Sequence, residues 1–486
     1  MVLSKVSAHP IGVLLRMTAK TRAHRIIQIG WPEFGQAVYP PPPRAPELEK
    51  RVNALRAMMG ERNLTHLVVY GDREHFANLA FLTGFDPRFE EALLIVGQNQ
   101  IPLLVVGNEC EAYVGVSPLF NEGKLRRERF QPFSLLNQPR DQSRTVSEIF
   151  ADEGIDASSM VGCVGWKYFT DHEHPDARYA IELPSYLVDT LRALAGRDHV
   201  VNSTDLLMHP GYGLRTFCSA SDIAYFEYTS VQASESVKRM IFGMREGMTD
   251  HEVVALGGTC GEPLGCHTTF GTGRSAALGL SGPRGEKIQR GNPLSMNLSY
   301  WGSNSCRSVW IASSFRDLPG AAADYIANFA GLYFEAMNEW FALLKPGTPG
   351  GQLWSLIHQR LPFERFGIFL NPGHLIHLDE WLSSPIYANS DVPLHSGMAI
   401  QVDVIPSSPV YASTRMEDGL VLVDKELRKE LKDAFPGCYA RCQKRRKFMT
   451  DVLGIDLPEE VLPLSNIPAI VPPFFLAPNE VFALEV

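Results

Sequence analysis

Residues 371–381 read NPGHLIHLDEW, residues 395–409 read HSGMAIQVDVIPSSP and residues 412–423 read ASTRMEDGLVLV. The first piece opens a polar, aromatic patch with Gly373-His374. The second is strand-like and holds one acid, Asp403. The third is also strand-like and carries Glu417 beside Arg415. A histidine and two carboxylates delivered from separate strands are what a metal or acid–base site needs, because each strand fixes its side chain rigidly. The competing explanation is three unrelated polar residues on exposed strand faces. The rest of the chain has to decide between them.

At 486 residues the chain is long for a single core, and two domains are expected. A composition 45% hydrophobic and 20% charged is that of an ordinary globular protein. The net charge of −9 argues against nucleic acid as a partner, which would need a clustered basic surface. No apolar run approaches the roughly 18 residues of a membrane-spanning helix, so no membrane partner is expected. The eight cysteines, at 110, 163, 218, 260, 266, 306, 438 and 442, include no CxxC pair. That scatter fits reduced thiols in a cytoplasmic protein better than a disulfide framework.

The first 32 residues contain Lys5, Arg16, Lys20, Arg22 and Arg25 and no acid, a composition shared with organelle-import segments. With few serines and no amphipathic face, the stretch reads instead as an unstructured start, or as an extension ahead of Met17. The run of four prolines within WPEFGQAVYPPPPRAP (31–46) stiffens the backbone into an arm. From Glu47 a helical pattern leads into the strand THLVVYGD, a helix or turn FANLAFLTGF, and two strands, EEALLIVG and IPLLVVGN, about a Gln-Asn-Gln turn. Strands alternating with helices define an α/β unit over residues 47–212. His172 and His174 lie in a loop and read as surface residues.

Beyond Cys218, Ser221 or Asp222 caps a helix running to about Met244, and Thr249 with Glu252 forms a capping box for the next. One hundred residues on, the device recurs: a helix through Tyr333–Leu344, a stop at Lys345-Pro346-Gly347, Thr348, and a helix from about Gly351 to Gln359. Strands follow each copy. Two similar αβ halves with a cleft between them are expected. The basic run Arg441–Lys447 reads as a solvated helix face, and the last 30 residues as an extended packed arm. Two motifs are set aside. Gly271-Thr-Gly273 resembles a dinucleotide fingerprint but leads into turns, not a helix; Cys306 has no sequence neighbour able to act as its base.

With the repeat and the strand acids in place, residues 47–430 resemble the creatinase, aminopeptidase P and prolidase superfamily. MREGMTDHEV, Gly373-His374, SGMAIQVDVIP and STRMEDGLVLV match its C-terminal domain in order, and YGDREHFANLAFLTGFDPRFEEALLIV its N-terminal one. The resemblance implies an α/β (α+β) fold. Residues 1–46 would be an arm, 47–212 a creatinase-like domain, 213–430 a pita-bread domain with an internal αβ pseudo-repeat, and 431–486 a helix and proline-rich arm. It also implies a homodimer acting on a small molecule or short peptide.

In metallopeptidases of that superfamily five ligands hold two divalent ions. Carried over, they fall on Asn297, Asn304, His374, Asp403 and Glu417. Two aspartates have thus become asparagines and one glutamate has shortened to Asp403. Four carboxylates balance two dications about 3.5–4 Å apart; two carboxylates balance one. A neutral amide oxygen is a weaker ligand. The expectation is at most one divalent ion (Mn, Zn or Fe), or none, since creatinase itself hydrolyses a C–N bond without metal. The superfamily's substrate-side histidine would fall near Leu280 or Ser281 and its later histidine near Trp381, where none stands. His377 and His267 are the candidates to replace them as acid or base beside His374. The activity implied is hydrolysis of a C–N bond in a peptide-like or amidino substrate. The alternatives are other pita-bread chemistry, a lyase or ring hydrolase, and a silent ligand-binding homologue.

Overall fold

The computed structural model describes residues 22–485. Most of the basic N-terminal stretch lies outside these residues. The part within them is not an unstructured start: His24–Gln28 pairs antiparallel with Glu480–Leu484 at the other end of the chain. Trp31 and Phe34 then sink into the core, with Trp31 Nε1 donating to the Pro478 carbonyl at 2.8 Å.

Residues 66–202 build a six-stranded mixed sheet. Its order is Arg126–Arg129, Leu103–Val106, Ala92–Gly97, His66–Gly71, Val161–Val164 and Val200–Asn202. The four central strands are buried on both faces, which is why they read as continuous apolar runs. The FANLAFLTGF stretch is the fully buried helix Ala77–Thr83, ended by Gly84 in the left-handed conformation. His172 and His174 are exposed, as read from the loop around them.

The second half holds two four-stranded antiparallel sheets. One runs Arg415–Glu417, Ser303–Trp310, Pro293–Tyr300, Thr269–Thr272; the other His374–Leu375, Ala399–Gln401, Gly419–Leu422, Val461–Pro463. The long helix is Ala220–Gly243. Its cap is Ser219, two positions before the expected pair, with Asp222 closing the box reciprocally. Helix Asp250–Gly257 starts on the Thr249/Glu252 box.

The repeat is visible bond by bond. Gly247 N–H reaches the Ile288 carbonyl at 2.9 Å and Gly347 N–H that of Leu394 at 2.8 Å. Both glycines have positive φ, 90° and 89°, at the stop between their helices. Farther on, Gly291 N–H donates to Ile311 O and Gly397 N–H to Leu422 O, both at 2.8 Å. Each of these glycines stands six residues before a candidate ligand, Asn297 in one half and Asp403 in the other. The pseudo-repeat therefore presents equivalent strand positions to one place.

The C-terminal end forms two helices, Lys425–Ala434 and Pro436–Asp451, divided at Pro436, and one expectation fails there: the basic run is only partly solvated. Arg445 is fully buried, and Arg445 Nη2 and Arg441 Nη2 contact Glu227 at 2.7 and 2.6 Å. Glu227 is buried on the long helix, and a carboxylate so placed needs paired cations. Among the described residues no helix is long and apolar enough to cross a membrane.

Candidate functional site

The strand Pro293–Tyr300 and its partner Ser303–Trp310 form a tight hairpin about Trp301-Gly302. Period-two alternation puts Ser295, Asn297 and Ser299 on the same face as Asn304, Cys306 and Ser308. Leu294, Met296, Leu298 and Val309 face the helical layer and are buried there. Arg307 also points inward. Fully buried, it donates to Asp418 Oδ2 at 2.8 Å and to the carbonyls of Ile467 and Ile470. Asp418 follows Glu417, which pairs across the sheet with Cys306. Arg307 thereby locks the Glu417 strand against the hairpin, and the Met416 N–H on Tyr333 Oη (3.1 Å) holds it from the other side.

His374 pairs with Gln401 at the edge of the second sheet, two residues from Asp403. Ligand atoms of His374, Asp403 and Glu417, all three buried, lie within 4.8 Å of one another. His374 Nδ1 sits 3.1 Å from the Leu375 carbonyl, to which it can only donate, and Nε2 faces Glu380 and Glu417. Buried Nε2 and Asp403 Oδ1 have no hydrogen-bond partner.

The two asparagines join the same cluster, in an orientation fixed by their neighbours. Thr269 N–H and Oγ1 donate to Asn297 Oδ1 at 2.8 and 2.6 Å. A backbone N–H can only donate, so Asn297 must turn its Nδ2 to Asn304 Oδ1, 3.2 Å away. Asn304 must then turn its own Nδ2 to Glu417 Oε1, at 2.8 Å. The result is a one-way amide relay from the Thr269 backbone to Glu417. Both amide oxygens are consumed within it.

Three further groups complete the pocket floor. Glu380 Oε1 is 3.3 Å from His374 Nε2, off the line of a hydrogen bond, and Trp381 stacks on the His374 ring at 4.1 Å between centroids. Arg415 lies 3.7 Å from Asp403 Oδ1 and 3.9 Å from Glu417 Oε2, and its Nε donates to Cys306 Sγ at 2.9 Å. Burial disfavours charge on His374, but Glu380, with Asp403 and Glu417 behind it, raises the ring to about 9. Burial also pushes both acids up; Glu417 goes well up because Asp403 faces it, with Arg415 opposing. Glu380 is the one carboxyl held low: burial works against its charge, and His374 outweighs it. Cys306 is driven up to about 11, chiefly by burial, which leaves it a thiol and no nucleophile.

Of the histidines proposed as replacements, the structure separates two. His267 lines the same cleft, of about 570 Å³, with its Nε2 3.4 Å from the Leu280 carbonyl. His377 does not line it. Fully buried, its ring is wedged edge-on between Phe81 and Phe226, and neither nitrogen has a partner. His377 lies past the two-residue strand His374–Leu375, in a bend that turns its ring away from the cleft. Glu380 was assigned no role from the sequence, although an acid beside an aromatic in the His374 segment was a signal. Thr269 gave none. The Gly271–Gly273 segment runs from a strand into a short 3-10 turn, with no helix to bind phosphate.

A divalent ion fits one half of this cluster and not the other. His374 Nε2, Asp403 Oδ1 and Glu417 offer an imidazole and two carboxylates, two of their atoms unpartnered. A second ion between Asn297 and Asn304 would need oxygens already committed and would meet amide hydrogens.

The architecture, with paired half-domains around one cleft, is the pita-bread fold. No family model matches the sequence, and no curated protein matches it. Among solved structures the chain is similar to the prolidase from Pyrococcus horikoshii OT3 at 16% identity and TM-score 0.59, covering 77% of this chain and 95% of that one. The Xaa-Pro dipeptidase from Bacillus anthracis follows at 14% identity and TM-score 0.59, covering 78% and 96%. The X-Pro aminopeptidase from Thermotoga maritima MSB8 is similar at 16% identity and TM-score 0.55, covering 77% and 95%. The shared property is the fold.

Proposed function

We propose that this chain is a cytoplasmic, homodimeric hydrolase of a C–N bond in a small peptide-like or amidino substrate, with a site for one divalent ion. The observation that carries this reading is the convergence of His374, Asp403 and Glu417 within 4.8 Å, beside two asparagines whose amides are already hydrogen-bonded to each other and to Glu417. Bound there, an ion such as Mn, Zn or Fe would polarise a carbonyl and acidify water.

The chain's own residues do the rest. Asn304 holds the Glu417 carboxyl in place through Nδ2, and Trp381 packs the His374 ring flat. Glu380, Asp403 and Glu417 set the floor acidic enough to receive a donor group such as an amine or amidine. His267, on the cleft wall, is placed to exchange a proton with the leaving nitrogen. A second reading, ligand binding without turnover, is favoured by Arg415, whose guanidinium already partly offsets Asp403 and Glu417.

Metal analysis of the purified chain, with turnover of Xaa-Pro dipeptides and guanidino compounds, tests the proposal. One ion per chain and a loss of at least about 100-fold in kcat on Glu417→Gln are expected, on the scale of a removed acid–base or ligand group. Two ions per chain would overturn the single-site reading. No turnover by wild type on either substrate class would leave binding as the function.

A further inference from the structure

Glu380 is not one of the five positions carried over from the metallopeptidases. Its Oε1 nevertheless stands 3.3 Å from His374 Nε2, nearer than Glu417 Oε1 at 4.0 Å. The Asn304 Nδ2 that donates to Glu417 Oε1 at 2.8 Å also faces this Glu380 oxygen, at 3.4 Å. One amide thus orients two carboxylates, and both turn toward the same imidazole nitrogen. That nitrogen and Asp403 Oδ1 are buried without a hydrogen-bond partner. Electron-rich atoms facing one another in the interior repel unless a positive charge lies among them. Two donors at about 2.1 Å from one ion stand about 3.0–3.4 Å apart at right or tetrahedral angles, so the His374–Glu380 separation is already that of a ligand edge.

Charge agrees with distance. Ionised, Glu380, Asp403 and Glu417 carry three negative charges. Arg415, beside Asp403 and Glu417, supplies one positive charge, and a dication supplies the other two. A proton on Nε2 supplies only one, off the line to Glu380 Oε1. We infer that Glu380 is a fourth protein ligand of the single divalent ion, beside His374, Asp403 and Glu417. This deepens the one-ion reading and rests on it. The carboxyl that the two asparagines do not provide comes instead from the bend after His374–Leu375, on a side chain 23% exposed to the cleft.

Calorimetric titration of the metal-free full chain with Mn²⁺, with the visible spectrum of the Co²⁺-loaded chain, tests this. Wild type is expected to bind one Mn²⁺. Glu380→Gln keeps the size and removes the charge. It should weaken binding at least about 100-fold, the upper end of what a group that only supports a ligand costs. Glu380→Asp keeps the charge on a shorter arm and should still lose at least about tenfold. Both variants should change the intensity of the Co²⁺ bands, which report the groups bound to the ion; a charge outside the coordination shell would not. Full Mn²⁺ affinity in Glu380→Gln, or Co²⁺ spectra like wild type in both variants, would overturn the inference and leave the one-ion reading standing. A wild type that binds no ion would remove both.

Discussion

Asn304 donates from Nδ2 to Glu417 Oε1 at 2.8 Å, and that hydrogen bond occupies the space through which an aspartate and a glutamate would otherwise share a cation. Its direction is set one residue further back, by the Thr269 N–H on Asn297. The relay therefore runs one way, from the Thr269 backbone to the Glu417 carboxyl.

Replacing the amide tests this directly. Asn304→Asp puts a carboxylate where Glu417 now accepts a hydrogen bond. The loss is about 1.5–3 kcal/mol for a hydrogen bond to a charged group, with like-charge repulsion added. The melting temperature in chelator should drop by several degrees, roughly as that energy implies. Millimolar Mn²⁺ should restore it, and Asn297→Asp/Asn304→Asp should take up a second ion. A variant that melts like wild type in chelator would mean the relay does not support Glu417.

The hairpin carrying both asparagines depends on Gly302. Its φ is 79°, and a Cβ there would come within 2.0 Å of Phe226 Cδ1. Gly302→Ala should cost about 2–5 kcal/mol, combining left-handed strain with overpacking. Urea unfolding gives the number. Adding Phe226→Ala should recover part of the loss, and no recovery would place the strain elsewhere.

Much of this was legible in the sequence because it is local. Capping boxes, the two glycine stops and the alternation around Asp403 and Glu417 are fixed by residues within one turn or one strand. The trio His374, Asp403 and Glu417 was one of two readings of the strand pattern, while Asn297 and Asn304 entered only through the resemblance. What the sequence hid depends on distant partners. The basic run 441–447 looked solvated because Glu227, 218 residues from Arg445, gives no local sign of being buried. His377 looked like a spare imidazole because its distance in sequence from His374 is short, while the bend after that strand turns its ring between Phe81 and Phe226. The relay was invisible, since two asparagines reveal nothing about which way their amides point.

The buried Glu227 cluster gives a contrast within one helix. Arg445→Met leaves Glu227 and Asn466 short of donors in the interior and should cost about 3–5 kcal/mol, less whatever Arg441 retains. Lys444, its exposed neighbour, should tolerate alanine within about 0.5 kcal/mol. Chemical denaturation of the two variants side by side checks this. Equal effects would return the run to the surface.

His377 makes stability depend on pH, and the sign can be worked out. Burial, followed by the nearby Arg215, holds the folded-state ring well below its ordinary 6.5; Asp222 opposes, and Arg51 adds to the lowering. The unfolded chain binds a proton below 6.5 that the folded chain refuses. Stability from this group is therefore complete above 6.5 and lost as pH falls below it. Between pH 7.5 and 5.5 one such proton is worth about 1.4 kcal/mol. His377→Leu keeps an apolar side chain between Phe81 and Phe226 and removes the titration. Its unfolding free energy should fall by about 1.4 kcal/mol less than that of wild type over the same interval, whatever the variant's absolute stability. Denaturant titrations at the two pH values decide it. Equal acid sensitivity in both proteins would mean that the ring is already hydrated or paired in the folded state, and that the wedge between the two phenylalanines is not closed.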